Sequence, residues 1–552
     1  MSLRNHWAPC GLAALMLLAP VAHAVEGTEE RQSIEEVRNT VINLLKALVE
    51  KGLLTREQAE LMVKQAQDKA AADQAAAVAR NAQQAKEEQN AVRVPYVPQI
   101  VKDEISRQVA AEVKPAVVAD VVKEAKDEKW GVPAALPEWL SRVKMFGDVT
   151  LREQNDWYPR DNSQNLLLDY NAINQAGGYA RAQYPFLNTT QDRNRLRLRA
   201  RLGAEADINP YLTAYVRLAS GSLVDPGSES QTLGQYGQRY TVGFDQAYLQ
   251  WNTNTRDNLS VSTLQGGRLP NPWFAPTELV FARDLSFEGV AETLRFGWGD
   301  GKSDRSHVYA TVGAFPMLEV PLVNQENKWL VGGQIGTNLR FNGGADHIRF
   351  AGAYYDFLHV TGRMNDVDST LLNYTAPAFL RQGNSVYDIS NVRDIDPTVN
   401  LFALAAHFRL VDIAANYEHT FPGYSLAVTG EGVRNIGYNQ SDVEALTHQK
   451  VTSPQNKGYV GEVSFGRPVV DRFAAWRVAV GYRYVKADAV LDAWTDADFH
   501  EGGTNTQGYY FWTTFGVAKN TWLRLRYMSG NEIDGSARYG DDILQLDVNA
   551  RF

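Results

Sequence analysis

The chain has 552 residues, of which 44% are hydrophobic and 11% aromatic, and it carries 55 Lys and Arg residues against 64 Asp and Glu residues. The formal net charge of −9 argues against a nucleic-acid partner, since proteins that bind nucleic acids present basic surfaces. The mean hydropathy is −0.34, and no segment beyond the N-terminus approaches the roughly 20 apolar residues that a membrane-spanning helix needs. Composition therefore excludes a helical membrane protein.

The N-terminus has the pattern of a secretory signal peptide. Arg4 precedes an apolar run over residues 11–21, and the small-residue site Ala22-His23-Ala24 follows. We expect cleavage after Ala24, which removes the first 24 residues and with them Cys10, the only cysteine. The mature chain would then have no disulfide, no thiolate zinc site and no cysteine nucleophile. Two classes of protein fit, a secreted all-β protein and a transmembrane β-barrel.

Residues 25–130 are predicted to form a helical region. Apolar residues recur there at intervals of three and four, in a heptad-like stripe of Ile34, Val37, Val41, Leu44 and Leu48. The stripe lasts only about two to three heptads, fewer than the three or four that indicate a coiled coil. Two interpretations stay open: a solvated helix or partly disordered spacer, and a coiled coil that trimerises or reaches across the periplasm. Residues 131–142 form a proline-containing linker.

From residue 143 to residue 552 the sequence alternates with a period of two and predicts a transmembrane antiparallel β-barrel of about 16 strands. The closing segment has its apolar residues on one face and its polar residues on the other. The two sets are Leu544, Leu546, Val548, Ala550 and Phe552, and Gln545, Asp547, Asn549 and Arg551. Outer-membrane barrels alternate in this way, with the apolar face toward lipid and the polar face toward the lumen.

The strand count depends on one ambiguous stretch. One strand is predicted over residues 399–410 and the next over residues 425–434, so residues 411–423 are treated as a long turn or an extended strand. A further strand over residues 413–419 is the alternative, and totals of 14 or 18 strands stay open. Short turns such as 342–346 alternate with long polar loops such as 361–396, as a barrel with both termini on one side requires.

One predicted strand carries a row of arginines, which we call the arginine ladder. It consists of Arg193, Arg195, Arg197, Arg199 and Arg201. Because an arginine facing lipid costs roughly 2–4 kcal/mol at the midplane, the ladder is expected to face the lumen, with Glu205 further along the same face. One interpretation is ordinary packing, in which carboxylates of neighbouring strands or of an inward-folded loop neutralise the ladder. The other is a basic strip that biases the pore toward anions.

Residues 270–284 are predicted to form a stiff, partly apolar outer loop, since they hold three prolines together with Trp273 and Phe274. We expect this loop to fold against the inner wall as a constriction. The candidate charged residues of the constriction are Glu278, Asp284 and Arg268. A cap on the outer rim and a contact between subunits are the alternatives.

Signals for an enzyme are weak. The nine histidines are dispersed without a metal-binding motif, and no Gly-x-Ser-x-Gly elbow occurs. The lone match Gly430-Glu431-Gly432 is much too short for a nucleotide site. We therefore expect no catalytic residues, no metal site and no cofactor.

Several motifs are similar to those of one family, and the resemblance covers roughly residues 30 to 552. They are Val92-Arg93-Val94-Pro95-Tyr96-Val97-Pro98, Leu136-Pro137-Glu138-Trp139-Leu140, Phe146-Gly147-Asp148-Val149-Thr150-Leu151-Arg152, Arg193-Asn194-Arg195-Leu196-Arg197, Gly266-Gly267-Arg268-Leu269-Pro270-Asn271-Pro272 and the final Phe552. The chain resembles the putative porin family, proteobacterial outer-membrane porins with an N-terminal periplasmic helical extension. The resemblance implies an outer-membrane channel without fixing a solute, and it implies that Phe552 is the signal read by the barrel-assembly machinery.

The sequence as a whole predicts a porin of the bacterial outer membrane, a diffusion channel for small hydrophilic solutes with an anion bias if the arginine ladder lines the pore. Sixteen to eighteen strands leave an aqueous channel, whereas about eight are filled by side chains. The main alternative is a non-channel barrel that acts as an adhesin or cell-wall anchor, and an outer-membrane hydrolase is more distant. The expected partners are outer-membrane lipid, the barrel-assembly machinery, peptidoglycan and further copies of the chain in a homotrimer.

Overall fold

The structure, a computed structural model, describes residues 142–254, 260–299, 305–392, 399–535 and 537–552. The predicted signal peptide, the predicted helical region 25–130 and all but the last residue of the predicted linker lie outside the described residues. The described residues therefore belong almost entirely to the predicted barrel.

Sixteen long antiparallel strands form one closed sheet, and three short strands lie in its loops. The long strands are β1 (Val143–Trp157), β2 (Arg193–Asn209), β3 (Leu212–Ser220), β5 (Val242–Asn254), β6 (Ser260–Pro270), β7 (Ser286–Trp298), β8 (Ser306–Leu318), β9 (Lys328–Phe341), β10 (Asp346–Leu358), β13 (Phe408–Phe421), β14 (Tyr424–Asn435), β15 (Lys457–Gly466), β16 (Trp476–Val485), β17 (Thr506–Ala518), β18 (Thr521–Glu532) and β19 (Gly540–Arg551). The short ones are β4 (Gln231–Thr232), β11 (Val386–Asp388) and β12 (Phe402–Leu404).

The sheet closes between its first and last strands. Leu151 of β1 lies opposite Val548 of β19 on one side and opposite Leu198 of β2 on the other. Closure satisfies the backbone hydrogen bonds that an open edge would leave unpaired, which is the condition for spanning a bilayer with strands. The predicted barrel of sixteen strands is confirmed.

Alternation along each strand separates an outer apolar face from an inner polar one. In β19, Gln545 and Asp547 are buried in the interior, whereas Leu546 and Val548 on the other face are exposed. This arrangement is the reverse of a soluble sheet, because the solvent of the outer face is hydrocarbon.

Connections of two kinds alternate around the barrel and define two rims. The long ones, at the loop rim, are L1 (158–192), L2 (221–241), L3 (271–285), L4 (319–327), L5 (359–407), L6 (436–456), L7 (486–505) and L8 (533–539). Connections at the other end, the turn rim, are as short as residues 210–211, 422–423 and 519–520. The expected alternation of short turns and long loops is therefore present.

Two α-helices lie in the loops. Helix α1 (Tyr170–Ala176) belongs to L1, begins at the N-cap Asp169, whose side chain accepts from the Ala172 amide, and ends at the left-handed Gly177. Helix α2 (Gln440–Thr447) belongs to L6 and has Asn439 as its N-cap. Neither these nor any other helix of the described residues has the length and apolar character of a transmembrane span.

The strand predicted over residues 399–410 is wrong in position. The barrel strand is β13, Phe408–Phe421, and it continues through a two-residue turn into β14. The apolar residues 401–406 had the composition of a strand, but they belong to L5, and Ala403 through Ala406 are buried in the interior. The alternation that is typical of a barrel strand begins later in the sequence, where the outward-facing Val411 and Ile413 flank the inward-facing Asp412.

Part of the barrel interior holds an apolar core built from folded-in loops. Its largest members in the loops are Trp273, Leu279 and Phe281 of L3, Leu380, Tyr387 and Ile389 of L5, and Val490 and Leu491 of L7. They pack on inward-facing side chains of the wall, namely Phe287, Phe315, Leu330, Tyr355, Phe357 and Phe408. Aromatic rings meet closely here, with the Trp273 and Tyr355 centroids 4.7 Å apart. L3, L5 and L7 therefore fill one side of the lumen.

Candidate functional site

The arginine ladder lies on the inner face of β2, as its alternation with leucines predicts. Leu196 and Leu202 are half-exposed on the outer face, while the guanidinium groups reach across the interior to side chains of β1 and of three loops. The wall formed by β19, β1, β2 and β3 thus faces the apolar core across the lumen. Polar contacts join the two sides.

Arg199 and Arg201 bind carboxylates from the wall and from two loops. Arg199 lies 3.1 Å from Asp284 of L3 and 3.4 Å from Asp148 of β1. Arg201 lies 2.7 Å from Asp148 and 3.2 Å from Glu229 of L2. The predicted constriction residue Asp284 is thus a direct counter-charge of the ladder.

The other ladder residues bind β1 and L7. Arg195 pairs with Asp156 of β1 and lies 3.4 Å from Glu501 of L7, and Arg193 lies 3.6 Å from the same glutamate. Arg197 donates to Gln154 at 3.1 Å. L7 therefore lies directly on the ladder.

Asp498 of L7 is the most heavily paired carboxylate of the site. Both of its oxygens accept from Arg152 at 3.0 Å, Arg526 donates to it at 2.9 Å, and Arg197 lies 3.9 Å away. Burial alone would raise its pKa, but Arg152, Arg526 and Arg197 together hold the pKa of Asp498 well below its usual range. Asp498 is therefore a permanent anion within the barrel.

Charges of both signs balance across this wall. Ion pairs within 4 Å join eight arginines to eight carboxylates among the described residues. The arginines are Arg152, Arg193, Arg195, Arg197, Arg199, Arg201, Arg217 and Arg526, and the carboxylates are Asp148, Asp156, Glu229, Asp245, Asp284, Asp498, Glu501 and Asp547. We call this set the charge network. Its balance supports the interpretation of the ladder as neutralised packing.

One part of the charge network holds a surplus carboxylate. Three arginines form ion pairs with four carboxylates there. The arginines are Arg199, Arg201 and Arg217, and the carboxylates are Asp148, Glu229, Asp245 and Asp284. Burial, with Asp284 and Asp245 nearby, raises the pKa of Glu229 to about 8. A proton on Glu229 at neutral pH removes the surplus negative charge of this part and leaves the charge network as a whole with one arginine more than its ionised carboxylates.

L3 is fixed in the lumen by polar contacts as well as by its aromatic residues. The backbone of Phe274 donates to the Gln334 side chain at 2.7 Å and accepts from it at 3.0 Å. The backbone and hydroxyl of Thr277 donate to Glu431 at 3.1 and 2.6 Å. Inward side chains of β9 and β14 therefore set the position of L3.

Three other predicted site residues lie away from the ladder. Glu278 lies on L3 but binds Arg283 and, through its carbonyl, Arg483 of β16. The Arg268 side chain points outward from β6, whereas the side chain of the next residue, Leu269, is buried in the interior. Arg268 forms an ion pair with Glu288 at 2.5 Å. Glu205 lies near the turn rim, 3.2 Å from Lys144. Arg268 donates to the backbone carbonyl of Asp245 at 2.8 Å, but neither Arg268 nor Glu205 forms an ion pair with the charge network, because alternation turns the first outward and strand length separates the second.

Several members of the charge network were not among the predicted residues. Asp148 and Arg152 alternate along β1 with Val149 and Leu151, so the period of two identifies their face as lumenal, and Asp156 lies further along the same face. Asp498 and Glu501 belong to a long loop, and nothing in the local pattern of L7 shows that it folds inward onto β2.

Cavities remain beside the folded-in loops, and two of them concern the site. One, of about 630 Å³, lies at the loop rim between L2, L5, L7 and the ends of β5 to β9. The other, of about 110 Å³, lies beneath L3 and L7 against β15 to β18. In the ranges that the structure covers, no group of three or more His, Cys, Asp and Glu side chains is arranged to hold a metal ion.

Comparisons with known proteins give one family match and several structural ones. The sequence matches the profile of a family described as "Putative porin" over residues 38–552. Compared with the curated proteins, the sequence finds no match.

The similar solved structures include three outer-membrane proteins. Pseudomonas putida OprB, in its high-pH structure, has 11% sequence identity and a TM-score of 0.42, and the match covers 77% of this chain and 97% of that one. The Acinetobacter baumannii outer-membrane channel DcaP has 10% identity and a TM-score of 0.37, with coverage of 74% and 97%. Salmonella typhi OmpF, in complex with daunomycin, has 13% identity and a TM-score of 0.38, with coverage of 74% and 97%.

Proposed function

Because this chain belongs to the putative porin family, we propose that it is a passive outer-membrane channel for small hydrophilic solutes. The observation that carries the proposal is a closed barrel of sixteen strands with an apolar outer face and a charged inner one. Filtering by size and charge is the whole mechanism, so the proposed channel is not an enzyme and uses no cofactor.

We place the long loops outside the cell and the turn rim in the periplasm, because short periplasmic turns and long outer loops are the rule in such barrels. With this orientation, residues 25–130, which the sequence predicts to be helical, and the C-terminus would lie in the periplasm. The same orientation also puts Phe552 where the barrel-assembly machinery would read it, and it brings the helical region within reach of peptidoglycan.

The charge network supports a constriction at the level where L2, L3 and L7 meet β1 and β2. Since each ladder arginine has carboxylates within 4 Å, a permeating ion meets paired charges there instead of five free cations. We therefore propose that the ladder narrows the pore and holds the loops, and that an anion bias needs cations outside the charge network.

A second candidate function is a non-channel barrel that acts as an adhesin or cell-wall anchor. One observation favours it: apolar side chains of L3, L5 and L7 pack together inside the barrel and occupy part of the lumen. Such a core makes the barrel more rigid, which suits an anchor. An anchor does not need an open pore, so loops that fill the lumen would not impair its function.

We propose that copies of the chain associate as a homotrimer. Supporting this, the carboxylate of Glu292 lies on the outer face at mid-height of β7, in register with outward Val312, and accepts from Ser262 at 3.2 Å. A carboxylate facing lipid at this depth is unfavourable, and a protein neighbour would remove the need to face lipid.

Planar-bilayer recording of the purified, full-length protein separates the two functions. A porin is expected to add stepwise, steady ion conductance with each inserted channel. Inserted, heat-modifiable barrel that carries no current would reject the channel and favour the anchor.

A further inference from the structure

We propose that the lumen contains a binding subsite for one carboxylate group of a permeating solute, formed by Arg283, Arg524 and Arg526. The inference rests on the proposed channel function and deepens it by naming the solute class and the residues that would select it. The subsite lies at the cavity of about 110 Å³ and shares Arg526 with the charge network, whereas Arg283 and Arg524 do not belong to that network.

Arg524 is a lumenal arginine that forms no ion pair among the described residues, although Asp547, which binds Arg152, lies opposite it on β19. Arg524 lies on β18, on the inward face shared with Arg526, and no carboxylate lies within 4 Å of it among the residues that the structure describes. Its Nε atom is buried and has no hydrogen-bond partner, a property that it shares with Arg195, Arg197, Arg199 and Arg526. Every ladder arginine, by contrast, has a carboxylate within 4 Å.

Trp512 holds the Arg524 guanidinium in place. The guanidinium carbon lies 4.9 Å from the centroid of the Trp512 ring, and the indole nitrogen is fixed by a hydrogen bond of 2.9 Å to Glu462. A guanidinium stacked on an indole loses little freedom when it binds, and its planar fork matches the two oxygens of a carboxylate. The geometry therefore favours a carboxylate over a spherical anion.

Arg283 and Arg526 supply the other positive charges of the cavity. Arg283 lies near the C-terminal end of L3, its side chain is 61% exposed, and the carboxylate of Glu278 is 3.7 Å away. Arg526 is held by Asp498 at 2.9 Å and so contributes a fixed charge. An anion in the cavity would lie among three guanidinium groups.

Three acidic groups also line the cavity, and one carboxylate oxygen of each already accepts a hydrogen bond. Glu462 binds Trp512, Glu278 accepts from the Arg283 amide at 2.9 Å, and Asp496 accepts from two backbone amides of L7. The fourth arginine, Arg483, is buried and donates to the Glu278 carbonyl and to Thr495. Arg483 and Arg524 thus both lack a carboxylate within 4 Å among the described residues, but the Arg483 guanidinium already donates to two oxygens, whereas the Arg524 guanidinium is held by its contact with Trp512.

The volume of about 110 Å³ limits what the subsite takes. It fits a single anionic group and not a whole drug-sized solute, for which pockets of roughly 300–1,000 Å³ are usual. The solute class that fits is a small organic acid whose carboxylate enters the cavity while the remainder stays in the wider lumen.

The test is current block in planar bilayers with benzoate as the probe and benzamide, its uncharged isostere, as the matched ligand. We expect benzoate on either side to block the wild-type current in a concentration-dependent manner, and benzamide to have no effect. Arg524→Gln should weaken the apparent benzoate affinity by about ten-fold or more, the size expected for loss of a charge-assisted hydrogen bond.

Arg477→Gln is the matched control variant, because Arg477 is also lumenal but is paired with Glu418 at 3.4 Å. It removes the same charge and should leave benzoate block within about two-fold of wild type. Equal weakening of benzoate block by both variants would overturn the subsite. It would show that benzoate responds to the electrostatic potential of the whole lumen and not to a local site. If Arg524→Gln does not insert, Arg524→Lys keeps the charge without the planar fork and should still lose several-fold in affinity; an unchanged affinity would also overturn the subsite.

The two proposals fail in different ways. A conducting wild-type channel that benzoate does not block rejects the subsite and leaves the porin standing. An inserted wild-type barrel that carries no current rejects the porin. The subsite could then still be detected, because benzoate would raise the thermal stability of the wild-type barrel and not that of Arg524→Gln.

Discussion

Arg199 of β2 donates to the carboxylate of Asp284 in L3 at 3.1 Å, so the end of an inward-folded loop is tied directly to the opposite wall of the barrel. The same arginine also contacts Asp148 of β1. A single guanidinium therefore links three segments that are far apart in sequence.

This link predicts coupled effects of substitution. Arg199→Gln and Asp284→Asn should each destabilise the folded barrel by about 1–3 kcal/mol, because each leaves a largely buried charge with fewer partners. The double variant should lose less than the sum of the two, with a coupling of about 0.5–3 kcal/mol in thermal unfolding. Strictly additive losses would show that the pair does not act as a unit. Glu205→Gln near the turn rim is the control, with an expected change within about 0.5 kcal/mol.

The pH dependence of selectivity should depend on Glu229. Its folded pKa is raised to about 8, so the carboxyl binds a proton in the folded protein over a range in which an unfolded glutamate has lost it. The stabilisation from that proton is lost as pH rises through about 8, and above this pH the lumen carries one more negative charge. The zero-current potential across a KCl gradient should therefore shift toward cation preference between pH 6 and pH 9. Glu229→Gln should show no such shift, and a shift that persists in Glu229→Gln would assign the titration to another group.

Charge reversal on the ladder should affect folding before selectivity. Glutamates at positions 195, 197 and 199 would face Asp156, Asp498 and Asp284, so the triple variant Arg195→Glu, Arg197→Glu, Arg199→Glu should yield little heat-modifiable barrel. Arg193→Glu, which meets only Glu501 at 3.6 Å and is more exposed, should insert normally. Normal amounts of the triple variant, with a large shift toward cations, would support the ladder as the selectivity element.

The outward carboxylate of Glu292 gives a two-sided test of the proposed homotrimer. If it faces another copy, Glu292→Leu should weaken the trimer on native gels and by light scattering. If Glu292 faces lipid, the same change should stabilise the barrel and leave its oligomeric state unchanged. Val312→Leu, an apolar change on the same outer face opposite Glu292, is the control and should alter neither property.

The C-terminal residue closes the seam at the turn rim. The Phe552 amide donates to the Gly147 carbonyl at 3.0 Å, and a Cβ on Gly147 would lie 2.6 Å from the Phe552 ring. Deletion of Phe552 is expected to give poor insertion and low abundance in the outer membrane, while Phe552→Tyr should assemble normally. Wild-type levels of folded protein after the deletion would exclude Phe552 as the assembly signal.

Much of the barrel could be predicted because alternation is local. A period of two assigns each side chain of a strand to lipid or lumen, and it predicted both the count of sixteen and the inward ladder. The same rule failed at residues 399–410, where a run of apolar residues packs inside the barrel and has no alternation to read. There the outer-face pattern of Val411 and Ile413 was the better guide.

The counter-charges were only partly predictable for the same reason. Asp284 could be assigned to the ladder because L3 is short, rich in proline and apolar. Asp498 and Glu501 meet the ladder from more than 300 residues away in sequence, through a loop whose inward path depends on packing against L3 and L5. Contacts of this kind follow from the assembled fold and not from any local pattern.

The apolar core inside the barrel changes what keeps this protein folded outside a membrane. An empty barrel has its large apolar surface on the outside, so detergent or lipid must cover that surface. Here Trp273, Phe281, Phe287 and Tyr355 also bury apolar surface against one another, away from any amphiphile. Their exposure on unfolding adds a positive heat-capacity change of the kind seen in water-soluble proteins. The internal apolar core should therefore stabilise this barrel even in a detergent that covers its outer face poorly. Calorimetry would detect this contribution as an additional heat-capacity change on unfolding.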